Sequence, residues 1–218
     1  LAKDNEYLVV GLGRFGGALA RELVHLGHDV LGVDQSSREV QRLADVLTHA
    51  VQADSTDPDA MMQLGAADFR TAIVAIGTDI EASILTTALL ADLRIPRIVA
   101  KAVTEPHGKI LERVGAHRVV FPERDMGTRV AHTVTGRTID YIQLDPGFAL
   151  VETTAPAEIV GKTLAQAEVR RRYGITVVCV KPAGGSFTYA TPDTIVREGD
   201  ILVVAGETKR AEEFAELT

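Results

Sequence analysis

The stretch GLGRFG, Gly11 to Gly16, lies between the β-branched run YLVV and the periodic segment LARELVHLG. Gly11, Gly13 and Gly16 meet the pattern G-x-G-x-x-G in the context it requires, after a strand and at the opening of a helix. The reasons are steric. Gly11 permits a tight turn, Gly13 lets phosphate approach the backbone, and Gly16 lets the helix lie close to the sheet. The free N–H groups at the helix start then meet anionic oxygens. Asp34 closes the next strand, about twenty residues onward, where a carboxylate reaches ribose hydroxyls and repels a 2′-phosphate. NADP is therefore disfavoured.

From Tyr7 to Val120 the runs YLVVG, HDVLGVD, HAVQAD, TAIVAI, RIVAKA and HRVVF alternate with helical patterns. Phe15, Leu19, Leu23 and Leu26 repeat at helical spacing, as do Ile80, Ile84 and Ala88 with Leu85 and Leu89 beside them. Strands separated by helices imply right-handed crossovers and a doubly wound parallel sheet. After FPERDMG the stretch TRVAHTVTG reads as a helix with Gly136 as its cap residue. The grammar then changes. TIDYIQL and FALVETTA flank the turn DPG, and GKTLAQAEVRRRYG reads as one helix with a glycine stop. ITVVCVK leads through PAGG to SFTYAT as a hairpin, GDILVVAG is a last strand and TKRAEEFAEL a closing helix. The expected fold class is α/β. A Rossmann-type nucleotide-binding domain covers residues 1–121, a crossover helix 122–136, and a small α+β domain 137–218. The last is short for an independent domain, and its exposed faces call for a partner.

A net charge of −7 opposes nucleic-acid binding, which needs a basic footprint. No stretch approaches the roughly 18–20 apolar residues of a membrane span, so no direct membrane insertion is expected. No secretory leader is visible, and the lone Cys179 in ITVVCVK reads as a buried core thiol. The expectation is a soluble, intracellular protein.

Several side chains accompany the glycine loop. A cation in the first turn of a helix opposes the macrodipole by about 0.3–1 kcal/mol. Arg14 is thus either a solvated surface group or a phosphate clamp, suited to a ligand richer in charge than a bare pyrophosphate. Asp54 ends the third strand in QADSTDPDAMM. Asp57, before Pro58, can cap the following helix, which leaves Asp54 for the adenine amino group or a backbone donor. Thr78 and Asp79 follow the fourth strand, either at the ligand edge or as simple caps. Lys101 ends the fifth strand and adds positive charge. Glu123 follows Pro122 at a helix start, where an acidic side chain is favourable in any case.

Catalysis is poorly supported. A dehydrogenase needs a second domain with an acid or base for the hydroxyl proton. All six histidines precede Arg137, and no Ser–His–Asp order, CxxC pair or HExxH motif occurs. An NAD-dependent oxidoreductase and an NADH/NAD-sensing regulator stand as the alternatives to a non-enzymatic nucleotide switch.

Over its whole length the chain resembles the RCK (KTN) family, the KtrA/TrkA-type regulatory subunits of bacterial potassium transport systems. The resemblance rests on GLGRFG, GVD, QADSTD, AIGTDIEASILTTALL and KILERVGAHRVVFPERDMG, then on IVGKTLAQAEVRRRYGITVVCVKP and TIVREGDILVVAG. It implies a cytoplasmic protein, peripheral to the inner face of the membrane. It also implies homodimers, joined through the N-terminal lobes and crossover helix and assembled into an octameric ring beneath a membrane-embedded potassium-translocating subunit. ATP would favour the active ring and ADP the inactive one, while some relatives bind NAD(H). By resemblance Arg14 reaches the γ-phosphate, and Asp34 and Asp54 contact ribose and adenine. Glu123 helps bind a metal, Mg²⁺ or Ca²⁺, at the dimer interface. The implied nucleotide site is completed by Gly11, Gly13, Phe15, Gly16, Gln35, Ser55, Ile76, Gly77, Thr78 and Lys101. The C-terminal domain resembles one that in several relatives binds cyclic di-AMP between protomers, with Arg170 at a matching position. This chain has Glu168-Val169-Arg170 where that family usually has Asp-Leu-Arg.

Overall fold

The computed structural model describes residues 5–134 and 138–217. Contacts divide the chain into two compact units, with the boundary after Glu123. The expected cap Gly136 and the expected boundary residue Arg137 lie outside the described residues.

The first unit runs β1 (Glu6–Val10), α1 (Arg14–His25), β2 (Asp29–Asp34), α2 (Ser37–Leu43), β3 (His49–Gln52), α3 (Pro58–Gln63), β4 (Thr71–Val74), α4 (Ile80–Asp92), β5 (Arg97–Lys101), α5 (Glu105–Arg113) and β6 (Arg118–Val120). Its sheet has the order β3-β2-β1-β4-β5-β6 with every pair parallel. Successive side chains of a strand point to opposite faces, so β1 feeds two cores. Leu8 and Val10 join Val33, Met61, Ile98 and Leu111 on one side. Val9 joins Leu12, Val30, Leu43 and Ile73 on the other. The order reverses between β1 and β4, and the carboxyl ends of these strands open there, where ligands of such sheets bind.

The inner faces of two helices differ from the apolar stripes read in the sequence. In α1 the buried residues are Gly16, Gly17 and Ala20, while Leu26 is 62% exposed and Phe15, Leu19 and Leu23 are half-buried. In α4 the buried residues are Ala82, Ser83, Thr86, Thr87 and Leu90, and Ile80 and Leu85 face outward. The cause in α1 is proximity. A Cβ on Gly16 would stand 1.8 Å from the Gly11 carbonyl oxygen and 2.8 Å from Ala75 Cβ. Only the smallest residues fit between this helix and the loop that feeds it.

α6 (Pro122–Val134) opens in the first unit, and from Arg124 it belongs to the second. There Arg129 Nε donates to Asp140 Oδ1 at 2.7 Å. His132 stacks on Tyr141, with ring centroids 3.9 Å apart, and pairs with Glu212. The remaining elements are β7 (Thr138–Asp145), β8 (Phe148–Thr154), α7 (Leu164–Ala167), α8 (Val169–Tyr173), β9 (Thr176–Lys181), β10 (Thr188–Tyr189), β11 (Ile201–Glu207) and α9 (Thr208–Glu216). They form an antiparallel sheet, β10-β9-β11-β8-β7, around a core that includes Val151, Ile159, Leu202 and Phe214.

Two expectations for this unit are corrected. GKTLAQAEVRRRYG is not one helix: Glu168 takes a left-handed φ of 49°, which breaks the run into α7 and α8. Thr163 and Gln166 form a reciprocal capping box on a helix of four residues, so the first piece is a capped turn. The glycine stop is present as Gly174, with φ 71°. Cys179 is half-buried rather than buried: its neighbour on β9, Val180, sends its side chain into the core, and alternation turns Cys179 to the other face.

Candidate functional site

A cavity of about 420 Å³ opens at the carboxyl ends of β1, β2, β4 and β5. That volume falls within the range that holds small ligands. Gly11, Gly13, Arg14, Phe15, Asp34, Gln35, Ser55, Ile76, Gly77, Thr78, Lys101 and Glu123 all line it. Gly16 and Asp54 are not among the lining residues. Gly16 acts one layer away by letting α1 approach. Asp54 lies beyond β3, which ends at Gln52. It accepts hydrogen bonds from Thr56 N at 2.9 Å, Thr56 Oγ1 at 2.7 Å and Gln35 Nε2 at 3.3 Å. The Thr56 hydroxyl, above all, holds its carboxyl below the usual range.

The glycine loop is shaped for an anion. Gly11 has φ +90°, a conformation open to glycine. Gly13 occupies the N-cap of α1 with no side-chain cap bond, and no acidic residue sits in the first turn. The first N–H groups of α1 therefore lack a side-chain acceptor at the cavity wall. A Cβ on Gly13 would have no neighbour within 4 Å.

The loop is held by two groups that bind the N–H and the carbonyl of one residue, Leu12. The Asp34 Oδ2 atom accepts the Leu12 N–H at 2.6 Å, and Asp34 Oδ1 accepts the Ser36 N–H at 2.8 Å. From α2, Arg42 Nη2 donates to the Leu12 carbonyl at 2.7 Å, while its Nε is held by Glu39 at 2.8 Å. The sequence reading missed Arg42, Ser36 and Glu39. Only the i, i+3 spacing of Glu39 and Arg42 hints at their pairing; that this arginine reaches across to the loop is a tertiary fact.

The other wall carries three further arrangements. Ser55 and Thr86 share a buried hydroxyl bond of 2.8 Å, linking the wall to α4. Asp79 Oδ1 accepts the Ala82 N–H at 2.9 Å, so it caps α4 while it lines the cavity. Outside the cavity, Asp57 caps α3 as the sequence suggests. Lys101 Nζ lies 2.5 Å from Glu123 Oε1 and 5.7 Å from the centroid of the Phe15 ring. The Lys101 hydrogen bond is the main reason the Glu123 carboxyl sits below its usual range, and the Arg14 charge adds a smaller pull. Arg14 itself is exposed and has no ion pair among the described residues.

No histidine lines this cavity. His107 is buried in α5, where its Nδ1 accepts the Val103 N–H at 3.4 Å and burial lowers its pKa. Among the described residues no group of three or more His, Cys, Asp or Glu side chains is placed to hold a metal ion. Glu123 offers one carboxylate per chain, and Lys101 already occupies one of its oxygens.

The second unit has a cavity of about 410 Å³ beside Arg170, Arg171, Arg172, Tyr173 and Arg210. Arg171 pairs with Glu168 at 3.0 Å and Arg172 with Glu158 at 3.1 Å. Arg170 Nε donates instead to the neutral Thr176 hydroxyl at 3.1 Å.

Comparison with known proteins matches the description TrkA-N domain over residues 7–122 and TrkA-C domain over residues 148–218. The chain is 39% identical to Ktr system potassium uptake protein A of Bacillus subtilis strain 168, over 97% of this chain and 96% of that protein. It is 38% identical to Ktr system potassium uptake protein C of the same organism, over 96% and 95%. Among solved structures, the GsuK channel bound to NAD superposes with a TM-score of 0.67 at 22% identity, covering 98% of this chain and 39% of that one. This chain thus spans well under half of that channel, and the likeness is one of fold.

Proposed function

The chain belongs to the family of TrkA-N and TrkA-C proteins that includes the Ktr potassium uptake subunits, and we propose that it is a nucleotide-switched regulatory subunit of a potassium uptake system. The observation that carries this reading is the uncapped start of α1, with the exposed Arg14 at its first position and Lys101 across the cavity. An adenine nucleotide supplies the anion that this arrangement lacks. Its phosphates meet the first-turn N–H groups and its ribose meets Asp34, whose oxygens each retain an acceptor site.

ATP and ADP are the proposed ligands. A ligand shifts a two-state protein only through its differential affinity for the two shapes. The γ-phosphate is the natural discriminator, and Arg14 is the residue that reads it. In this proposal Glu123 contributes to a Mg²⁺ or Ca²⁺ site only together with oxygens from outside its own chain, from phosphate or from a second protomer. The assembly is a homodimer built up to an octameric ring, docked in the cytoplasm on a membrane potassium-translocating subunit. No helix among the described residues is long and apolar enough to cross a membrane, which suits a peripheral role. Arg170, which has no carboxylate partner among the described residues, would serve a cyclic dinucleotide in the second unit.

Turnover is not part of the proposal, since the relatives this chain matches over nearly their whole length are potassium uptake proteins. A second reading, an NAD(H)-sensing regulator, draws on Asp34 and on the NAD-bound GsuK channel. Calorimetry with ATP, ADP, NAD and NADH separates the two. Binding of ATP and ADP with a difference between them supports the proposal, and binding of NAD or NADH alone replaces it with the second reading.

A further inference from the structure

The Lys101–Glu123 pair is asymmetric. The Lys101 side chain is 10% exposed and that of Glu123 is 63% exposed. The lysine stem passes over Gly77, where an added Cβ would stand 3.0 Å from Nζ and 3.3 Å from Cε. Its ammonium thus lies inside the cavity, between Gly77 and the Phe15 ring. A buried ammonium is costly unless an anion accompanies it. Glu123 is that anion. A carboxylate that already faces water loses little on swinging out, whereas the Lys101 side chain is held among the cavity walls.

Building on the nucleotide reading of this cavity, we propose that Lys101 is a fixed cation whose anion is exchanged. Glu123 holds it when the cavity is empty, the ligand's phosphate holds it when the cavity is filled, and Glu123 is the competitor that sets phosphate selectivity. Without a divalent cation to join the two, a ligand whose phosphate reaches Lys101 must displace Glu123. A weakly charged or phosphate-free ligand cannot, and it binds beside an intact pair. Arg14, whose charge also reaches Glu123, favours the pair and the incoming phosphate alike and therefore does not decide the exchange.

The test is calorimetric titration of ADP and adenosine, in EDTA, against wild type, Glu123→Gln, Lys101→Met and the double variant. Glu123→Gln is expected to tighten ADP about tenfold, the scale of one charge-assisted hydrogen bond, and to leave adenosine unchanged. In the Lys101→Met background that gain disappears, because the carboxylate no longer has a cation to withhold. Lys101→Met removes a charge while keeping an unbranched apolar stem, and a cooperative thermal unfolding curve verifies each fold. Glu123→Ala provides a second version of the same loss. Glu123 variants that bind ADP equally or more weakly overturn the inference. So does an equal gain with and without Lys101, which assigns Glu123 to general charge repulsion. Wild type and variants that bind no adenine nucleotide overturn the nucleotide reading, and this inference with it.

Discussion

Asp34 Oδ2 accepts the backbone N–H of Leu12 at 2.6 Å, tying the end of β2 to the middle of the glycine loop. Leu12 is buried, and this part-buried bond satisfies its N–H at the edge of the cavity. The carboxylate therefore shapes the loop before it meets any ligand. Asp34→Ala is expected to destabilise the fold by about 1.5–3 kcal/mol, as for a lost charge-assisted hydrogen bond. Denaturant unfolding measures it. Stability unchanged within error would confine Asp34 to the ligand.

Arg42 holds the carbonyl of the same residue, Leu12, without lining the cavity. Arg42→Ala is expected to weaken ATP and ADP equally, by roughly three- to tenfold, through loss of a bond worth about 0.5–1.5 kcal/mol in holding the loop. Affinity titrations with both ligands check this. A change in their ratio would mean that Arg42 touches phosphate.

Arg14 presents a case in which stability and binding part company. Removing a cation from the first turn of α1 is expected to raise the stability of the empty protein slightly, by about 0.3–1 kcal/mol. Arg14→Ala should at the same time narrow the preference for ATP over ADP. Thermal unfolding and calorimetry on one preparation test both signs. Unchanged selectivity would remove Arg14 from its proposed role.

Gly13 and Gly16 separate ligand space from folding space. Gly16→Ala forces a Cβ to within 1.8 Å of the Gly11 carbonyl, and overpacking of this kind costs about 1–3 kcal/mol or more. Gly13→Ala meets no protein atom within 4 Å, so the melting temperature should barely move while nucleotide affinity falls. Equal stability losses for both would refute the division.

Asp140 links acidity to the second unit. The hydrogen bond from Arg129 holds its carboxyl below the ordinary value of 3.8. A carboxylate with a depressed pKa in the fold contributes stability that is fully present above its unfolded pKa and lost as pH falls through the folded one. Stability should therefore drop as pH is lowered from about 5 through 3.8 and beyond, and Asp140→Asn should flatten that slope. Unfolding curves across that pH range are the measurement.

Much of the first unit was legible because local chemistry and tertiary structure agree there. The glycine loop, the Asp57 cap and the strand-ending Asp34 and Lys101 each follow from backbone geometry that a few residues encode. Legibility failed where small residues did the packing. Apart from Leu90, the buried residues of α1 and α4 are Gly, Ala, Ser and Thr, which carry little hydrophobic signal, while Leu26 and Leu85 carry a strong one and face outward. The break at Glu168 was hidden because nothing in its side chain announces a left-handed residue. Arg42 was missed because its bond spans 30 residues to a main-chain oxygen.

The spacing at the glycine loop also limits what mutation can explore. Gly11 is fixed by its dihedral angle, Gly16 by the atoms above it, and Leu12 by the core. Three of the six letters of GLGRFG are thus closed to substitution by the fold alone. Positions 13, 14 and 15 face the cavity, and of these only 14 carries a charge. A lineage of such chains could change the anion it answers to by altering one codon, leaving its architecture untouched.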